Sequence, residues 1–237
     1  MRIFLAGAAG VIGRRLTPLL VLVGHEVTGT TRSAAKAGQI EASCGRPLVV
    51  DVFDAAALTT AMLEARPEIV IHQVTDLPAD PARVSGAAEA NARLRIEGTR
   101  NLMAAAKVAG ARRVIAQSIA FAYAPGGEPH HEDDPLNLEG PRRRSAEGAA
   151  GLEWAVLHTP PIEGVVLRYG RLYGPGTWSQ TPSVPPALHV DAAAHAALLA
   201  LERGMPGIYN IAEDDGAVAI TKARAQLGFD PTIRLDA

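Results

Sequence analysis

Cysteine is almost absent: Cys44 is the single one in 237 residues. No internal disulfide can form, and a chain of this length without such a framework reads as cytosolic, its lone thiol a small buried apolar side chain. Nor does charge of either sign dominate. Twenty-three basic side chains face twenty-five acidic ones, a formal charge of −2, which creates no field to draw the chain to nucleic acid or an anionic membrane. Long apolar runs are missing too. No stretch offers the roughly 20 uninterrupted apolar residues of a membrane helix, and Arg14 and Arg15 break the apolar start, where regularly spaced glycines speak for structure rather than a signal peptide. The expected partner is a small-molecule substrate, with a homodimer as an option and neither nucleic acid nor membrane. Lysine is scarce as well: Lys36, Lys107 and Lys222 are all there are.

What is present is an ordinary globular composition, 48% hydrophobic and 20% charged, enough to bury a proper core. Apolar runs of strand length at 3–6, 26–30, 47–50, 69–74, 114–117, 165–168 and 207–210 alternate with helical patterns at 11–23, 33–43, 54–66, 83–109, 142–157 and 190–203. That alternation is the signature of βαβ units feeding a parallel sheet. Runs such as Glu68-Ile-Val-Ile-His72 carry apolar residues on both faces, as a sheet covered on both sides requires. The expected class is a doubly wound α/β (Rossmann) fold over 1–173. Residues 174–237 then supply a last strand, helices and the remnant of a substrate cap. Prolines and glycines crowd the segment after Gly174, which predicts a loop there.

Gly7-Ala-Ala-Gly10-Val-Ile-Gly13 follows the first predicted strand and opens the first helix. In that context Gly7 permits a tight turn, Gly10 a close approach of backbone to a pyrophosphate, and Gly13 close packing of helix on strand. The helix N-terminus then presents its partial positive charge to the phosphates. With this G-x-x-G-x-x-G spacing the chain resembles the extended short-chain dehydrogenase/reductase superfamily, of NAD-dependent epimerase/dehydratase type. Further stretches are similar to that family: Asp51-Val-Phe-Asp54, the long helix beginning Asn91-Ala-Arg-Leu-Arg, Leu167-Arg-Tyr-Gly-Arg-Leu-Tyr-Gly-Pro-Gly176, and His189-Val-Asp191. The resemblance implies a nicotinamide cofactor held by Gly7, Ala9, Gly10, Val11, Ile12 and Gly13, with Asp51 and Val52 near the adenine and Gln73 and Val74 beside the loop. At the end of the second strand stand Thr31, Arg32 and Ser33, with no carboxylate among them. A planar guanidinium and a hydroxyl suit a 2′-phosphate, so NADP(H) is favoured over NAD(H).

The family's chemistry rests on a Tyr-x-x-x-Lys pair, in which the ammonium lowers the phenol pKa for proton exchange. None of the three lysines here has a tyrosine four residues before it. Laying the motif over Arg142-Arg-Arg-Ser-Ala146 puts Arg142 at the tyrosine and Ala146 at the lysine. Ser118, at the end of the fifth predicted strand, is the candidate for polarising a reacting oxygen, and Tyr123, Tyr169 and Tyr173 are the candidate proton donors. His130-His-Glu-Asp-Asp134 reads as a solvated loop rather than a metal site, and the positive run 142–144 as a helix face. Two functions follow: an NADP(H)-dependent oxidoreductase acting on a small carbonyl or sugar-like substrate, or a non-catalytic NADP(H) sensor similar in logic to NmrA-like regulators.

Only twelve residues separate Gly176 from His189 and eleven separate Asn210 from Lys222, less than the resemblance implies for a substrate cap. The favoured expectation is that the written sequence omits two cap segments, near 180–185 and 215–217. The alternative is a minimal protein with an open cleft.

Overall fold

The computed structural model describes residues 1–78, 80–182 and 184–235. Seven strands, β1 (Arg2–Ala6), β2 (Glu26–Thr31), β3 (Arg46–Val49), β4 (Ile69–His72), β5 (Arg113–Ile119), β6 (Glu163–Tyr169) and β9 (Gly207–Ile211), lie in one sheet in the order β3-β2-β1-β4-β5-β6-β9. Every pairing is parallel. These are the seven apolar runs of the sequence, and they build the doubly wound α/β fold that the alternation predicts.

The pleat sorts the side chains of each strand to two cores. Ile3, Leu5, Ile69, Ile71, Val165 and Leu167 point to one face, where Leu16 and Leu20 of α1 (Val11–Leu22) and the alanines of α7 (Val190–Leu199) cover them. Phe4, Ala6, Val70, Val114 and Val166 point to the other, under α3 (Ala55–Ala65), α5 (Thr99–Val108) and α6 (Arg143–Leu157). Because α7 rests on α1, and β9 on β6, the segment after 174 is built into the same layers as the N-terminal half.

Three local expectations are corrected. Residues 174–189 are not all loop: Ala187–His189 forms β8, which pairs in parallel with β7 (Arg171–Tyr173) as a second, two-stranded sheet. The helical pattern at 83–109 divides into α4 (Ala88–Arg93), a π-helical turn Leu94–Gly98, and α5. Cys44 is exposed, in a left-handed turn (φ +60°) after α2 (Ala37–Ala42), rather than buried. Around 215–217 the backbone is closed by Asp215, which accepts from Ala217 N (3.1 Å) and Ala187 N (2.9 Å). The 180–185 stretch contains Ser183, which lies outside the described residues. Among the described residues no helix is long and apolar enough to cross a membrane.

Candidate cofactor and substrate site

Strand order reverses at β1, which has β2 on one side and β4 on the other, and a cleft opens at the carboxyl ends of these strands, as it does in open α/β sheets. Its shape follows from the glycines. Gly7 adopts φ +87°, and a Cβ there would stand 2.7 Å from the carbonyl oxygen of Gln73, at the end of β4. A Cβ on Gly13 would collide with the carbonyl oxygens of Gly7 and Ala8, so glycine is needed for α1 to start against its own strand. Gly10, the N-cap of α1, has no side chain to cap the helix. Its own N–H is spent on Gly7 O (3.0 Å), and the first intrahelical bond is Arg14 N to Gly10 O (3.0 Å). The N–H groups of Val11 and Ile12 are therefore left for an anion at the positive end of a twelve-residue helix.

The cleft measures about 180 Å³ and is lined, of the residues expected from sequence, by Gly7, Ala9, Gly10, Thr31, Arg32, Asp51, Val52, Gln73 and Val74. Ile12 and Gly13 are buried behind the turn, and Val11 and Ser33 stand outside the lining. The structure adds Thr30, Lys36, Val50, Thr75, Leu77 and Leu94. Lys36 could have been found from the sequence, four residues after Arg32. Leu94 could not, because it arrives from a helix distant in sequence. Gln73 is 5% exposed, and its Oε1 has no hydrogen-bond donor among the described residues. A buried acceptor on the wall of a cleft is what a ribose hydroxyl or a carboxamide would satisfy, so the residues present fit a dinucleotide.

Arg32 is more than half exposed at the mouth, and a carboxylate does stand beside it: Nη2 donates to Asp76 Oδ1 at 2.5 Å. That hydrogen bond holds the guanidinium above its ordinary pKa. The sequence offered no sign of Asp76, 44 residues away. Ser33 N donates to Thr31 Oγ1 (3.2 Å), closing the turn that follows β2.

Ser118 has no exposed surface. Its hydroxyl donates to Glu153 Oε1 (2.6 Å) on α6, and Glu153 receives a two-pronged pair from Arg168 of β6, Nε to Oε1 (2.8 Å) and Nη2 to Oε2 (2.7 Å). Arg168 Nη1 continues to Tyr123 Oη (2.8 Å), which donates to Asn210 Oδ1 of β9 (2.6 Å). The network takes in the acidic loop as well. Glu132 accepts from Asn210 N (2.9 Å), and His130 stacks on Tyr123, bonds Asp134 (3.1 Å) and exchanges backbone bonds with Ala217 and Ala219. The segment expected to be a solvated loop is thus fastened to the sheet end. Among the described residues no group of three or more metal-ligating side chains converges.

The other tyrosines are engaged likewise. Tyr169 is fully buried and donates to Ala193 O (3.2 Å), and burial pushes its phenol upward. Tyr173 donates to Glu213 and accepts from Arg234 (2.8 Å), and burial again raises its phenol. Desolvation likewise raises Tyr123. Ala146, laid on the family's lysine, is buried with Ile119, Ala122 and Ala149. His72 and His189 orient backbone. His72 Nδ1 accepts from Val74 N (3.2 Å) and its Nε2 meets Thr99 Oγ1 (2.9 Å), and burial lowers it to about 4. His189 caps α7 by accepting from Asp191 N (3.2 Å). Of the run 142–144, Arg143 and Arg144 pair with Glu147 and Glu89, whereas Arg142 is exposed at the start of α6 with no such carboxylate among the described residues.

A family model described as NAD dependent epimerase/dehydratase family matches residues 3–187. A 3-diazoavenalumate denitrifying reductase from a Streptomyces species is 39% identical over 242 residues, covering 92% of this chain and 78% of that protein. A dTDP-4-dehydrorhamnose reductase from Streptomyces griseus is 33% identical over 175 residues, covering 74% and 51%. Among solved structures, the UDP-glucose 4-epimerase of Thermotoga maritima with UDP-glucose superposes with a TM-score of 0.80 at 19% identity, over 99% of this chain and 94% of that one. The Thermus thermophilus UDP-glucose 4-epimerase complex with NAD gives 0.79 at 20%, over 99% and 95%. At that identity the likeness is one of fold.

Proposed function

Because the chain belongs to the NAD-dependent epimerase/dehydratase family, we propose that it is a nicotinamide-dependent reductase that takes NADP(H) in preference to NAD(H) and reduces a small diazo compound. One observation carries the choice of substrate class. The tyrosines expected as proton donors all spend their hydroxyls inside the protein, as suits a relative, 39% identical over 92% of this chain, that is named as a denitrifying reductase of a diazo compound.

A bound reduced nicotinamide supplies a hydride. A carbonyl that accepts hydride becomes an alkoxide and needs an acid beside it. A diazonium carbon that accepts hydride needs none: the hydride pair forms the new C–H bond, the C–N pair departs with N2, and charge balances without a proton. A site whose candidate phenols, Tyr123, Tyr169 and Tyr173, are all hydrogen-bonded within the protein suits the second case. In this reading the N–H groups of Val11 and Ile12 meet the pyrophosphate, Asp51 and Val52 flank the adenosine, and Gln73 Oε1 accepts from the nicotinamide half. Arg32 and Lys36 face the 2′-phosphate. That group carries more negative charge than Asp76 and offers more acceptors, so it competes for the Arg32 fork.

The same absence of a free acid favours a second reading, a non-catalytic NADP(H) sensor. Incubation with NADPH and benzenediazonium, or with a panel of aldehydes and ketones, separates the cases through the nicotinamide absorbance and the recovered product. Enzyme-dependent benzene formation, with deuterium when the cofactor is deuterated, supports the diazo reading. Turnover of carbonyls alone overturns it in favour of a carbonyl reductase, and tight NADPH binding with no turnover favours the sensor.

A further inference from the structure

Arg171 opens β7 just beyond the end of β6, and Phe121 lies just beyond the end of β5, the strand paired with β6 through Ile119 and Tyr169. On its other side β5 pairs with β4, whose end carries Gln73 of the cofactor cleft. Phe121 and Arg171 therefore stand at the carboxyl edge of the sheet, beside that cleft, where a reactant of a bound dinucleotide belongs. The Arg171 guanidinium lies over the Phe121 ring, 4.3 Å from its centroid, and its Nη1 is buried with no hydrogen-bond partner among the described residues.

Among the described residues this planar cation, unlike its neighbours in the sheet, pairs with no carboxylate. Arg168, three residues earlier, is neutralised by Glu153, and Arg113 by Glu163 and carbonyl oxygens. Arg171 meets a second cation instead: Arg142, at the start of α6, is close enough that its charge, after burial, lowers the Arg171 pKa. A buried N–H without an acceptor is costly, and two like charges without an anion add to the cost.

We propose that Arg171 receives a carboxylate of the substrate, with Phe121 fixing the plane of the fork and Arg142 adding positive charge at the rim. A planar fork matches the two oxygens of a carboxylate. One half-buried cation and one exposed cation answer a single negative charge better than a diphosphate, whose further charges would go unmatched. The proposal takes the reductase reading only in calling the ligand a substrate; the binding itself needs no turnover.

Binding of trans-cinnamate and of trans-cinnamamide to the NADPH-loaded protein, measured by calorimetry, tests it. The pair differs in charge and hardly in shape. Cinnamate is expected to bind at least about tenfold more tightly than the amide. The preference should disappear in Arg171→Gln and shrink in Arg142→Gln, while NADPH affinity stays unchanged in both. Equal binding of acid and amide by the unaltered protein, no binding of cinnamate, or a preference that survives Arg171→Gln would overturn the proposal. So would displacement of cinnamate by inorganic phosphate at a concentration where acetate has no effect. The unaltered protein supplies the acid-versus-amide comparison even if Arg171→Gln fails to fold. Loss of NADPH binding with the acid preference retained would sink the reductase reading alone.

Discussion

At the scale of single residues, the end of β5 shows how a strand-end hydroxyl can be recruited inward. Ser118 is legible in the sequence as the last polar residue of an apolar strand, but its partner Glu153 lies 35 residues on, and no local pattern announces that pairing. Deleting one side of a buried charge pair strands the other. Glu153→Leu is therefore expected to cost about 3 kcal/mol or more in denaturant titrations by leaving Arg168 unpaired. Ser118→Ala should cost about 1 kcal/mol and leave turnover per folded molecule near normal. A hundredfold loss of turnover in Ser118→Ala, the size of effect seen when an oxyanion donor is removed, would return that hydroxyl to the chemistry. Arg32 is the converse case, since its type and place at the end of β2 are readable while the Asp76 that holds it is not. Arg32→Asp should weaken NADPH by about 1 to 3 kcal/mol and narrow the gap to NADH. Asp76→Asn, by freeing the fork, should strengthen NADPH. Equal affinities for the two cofactors in the unaltered protein, measured by fluorescence titration, would remove Arg32 from the 2′-phosphate.

At the scale of elements, legibility tracked the length and burial of each run. Parallel strands covered on both faces are nearly continuous apolar runs, as β1 and β4 are, whereas β2 (Glu-Val-Thr-Gly-Thr-Thr) and the edge strand β3 (Arg-Pro-Leu-Val) are marked by β-branched residues and position in the alternation. Strands β7 and β8 have three residues each, and the pairing of Arg171 with Ala187 spans a proline-rich stretch, so composition alone reads as loop. The glycine loop was legible in its pattern and its place between β1 and α1, and its members should separate by experiment. Gly13 is closed in by the carbonyls of Gly7 and Ala8, whereas a Cβ on Gly10 meets only Gly7 O, at 3.1 Å, and borders the cleft. Gly13→Ala is thus expected to lower the melting temperature, because backbone must move. Gly10→Ala should leave melting nearly unchanged and weaken NADPH by tenfold or so, about 1.4 kcal/mol. Matching thermal shifts in the two variants would mean that the Gly10 position is set by packing and not by a phosphate.

At the scale of the whole molecule, the question is whether the part after 174 stands apart from the nucleotide-binding part before it. The packing argues that it does not. Ile3, Leu5, Leu16 and Leu20 from the N-terminal half share one core with Ala193, Ala197, Ile211 and Leu227 from the C-terminal half. Across the sheet end, Asn210 of β9 is tied through Tyr123 and Arg168 to Glu153 of α6, and through Glu132 to the loop before α6. Peeling β9 from β6 would pull Tyr209 and Ile211 out of the shared core and break a buried charged network, and both costs belong to global unfolding. The amides of β9 should therefore exchange with the same opening free energy as those of β1, even though β9 is an edge strand. Native-state hydrogen exchange at increasing denaturant measures this: the Tyr209 and Ile211 amides are expected to merge with those of Phe4 and Leu5 at the global value. A separate, cheaper opening for β9 would show the C-terminal segment to be its own cooperative unit. Exchange in Glu153→Leu carries the same logic further. If the network is what welds the sheet end, β9 should detach from the global isotherm in that variant while β1, separated from it by β6, β5 and β4, stays on it.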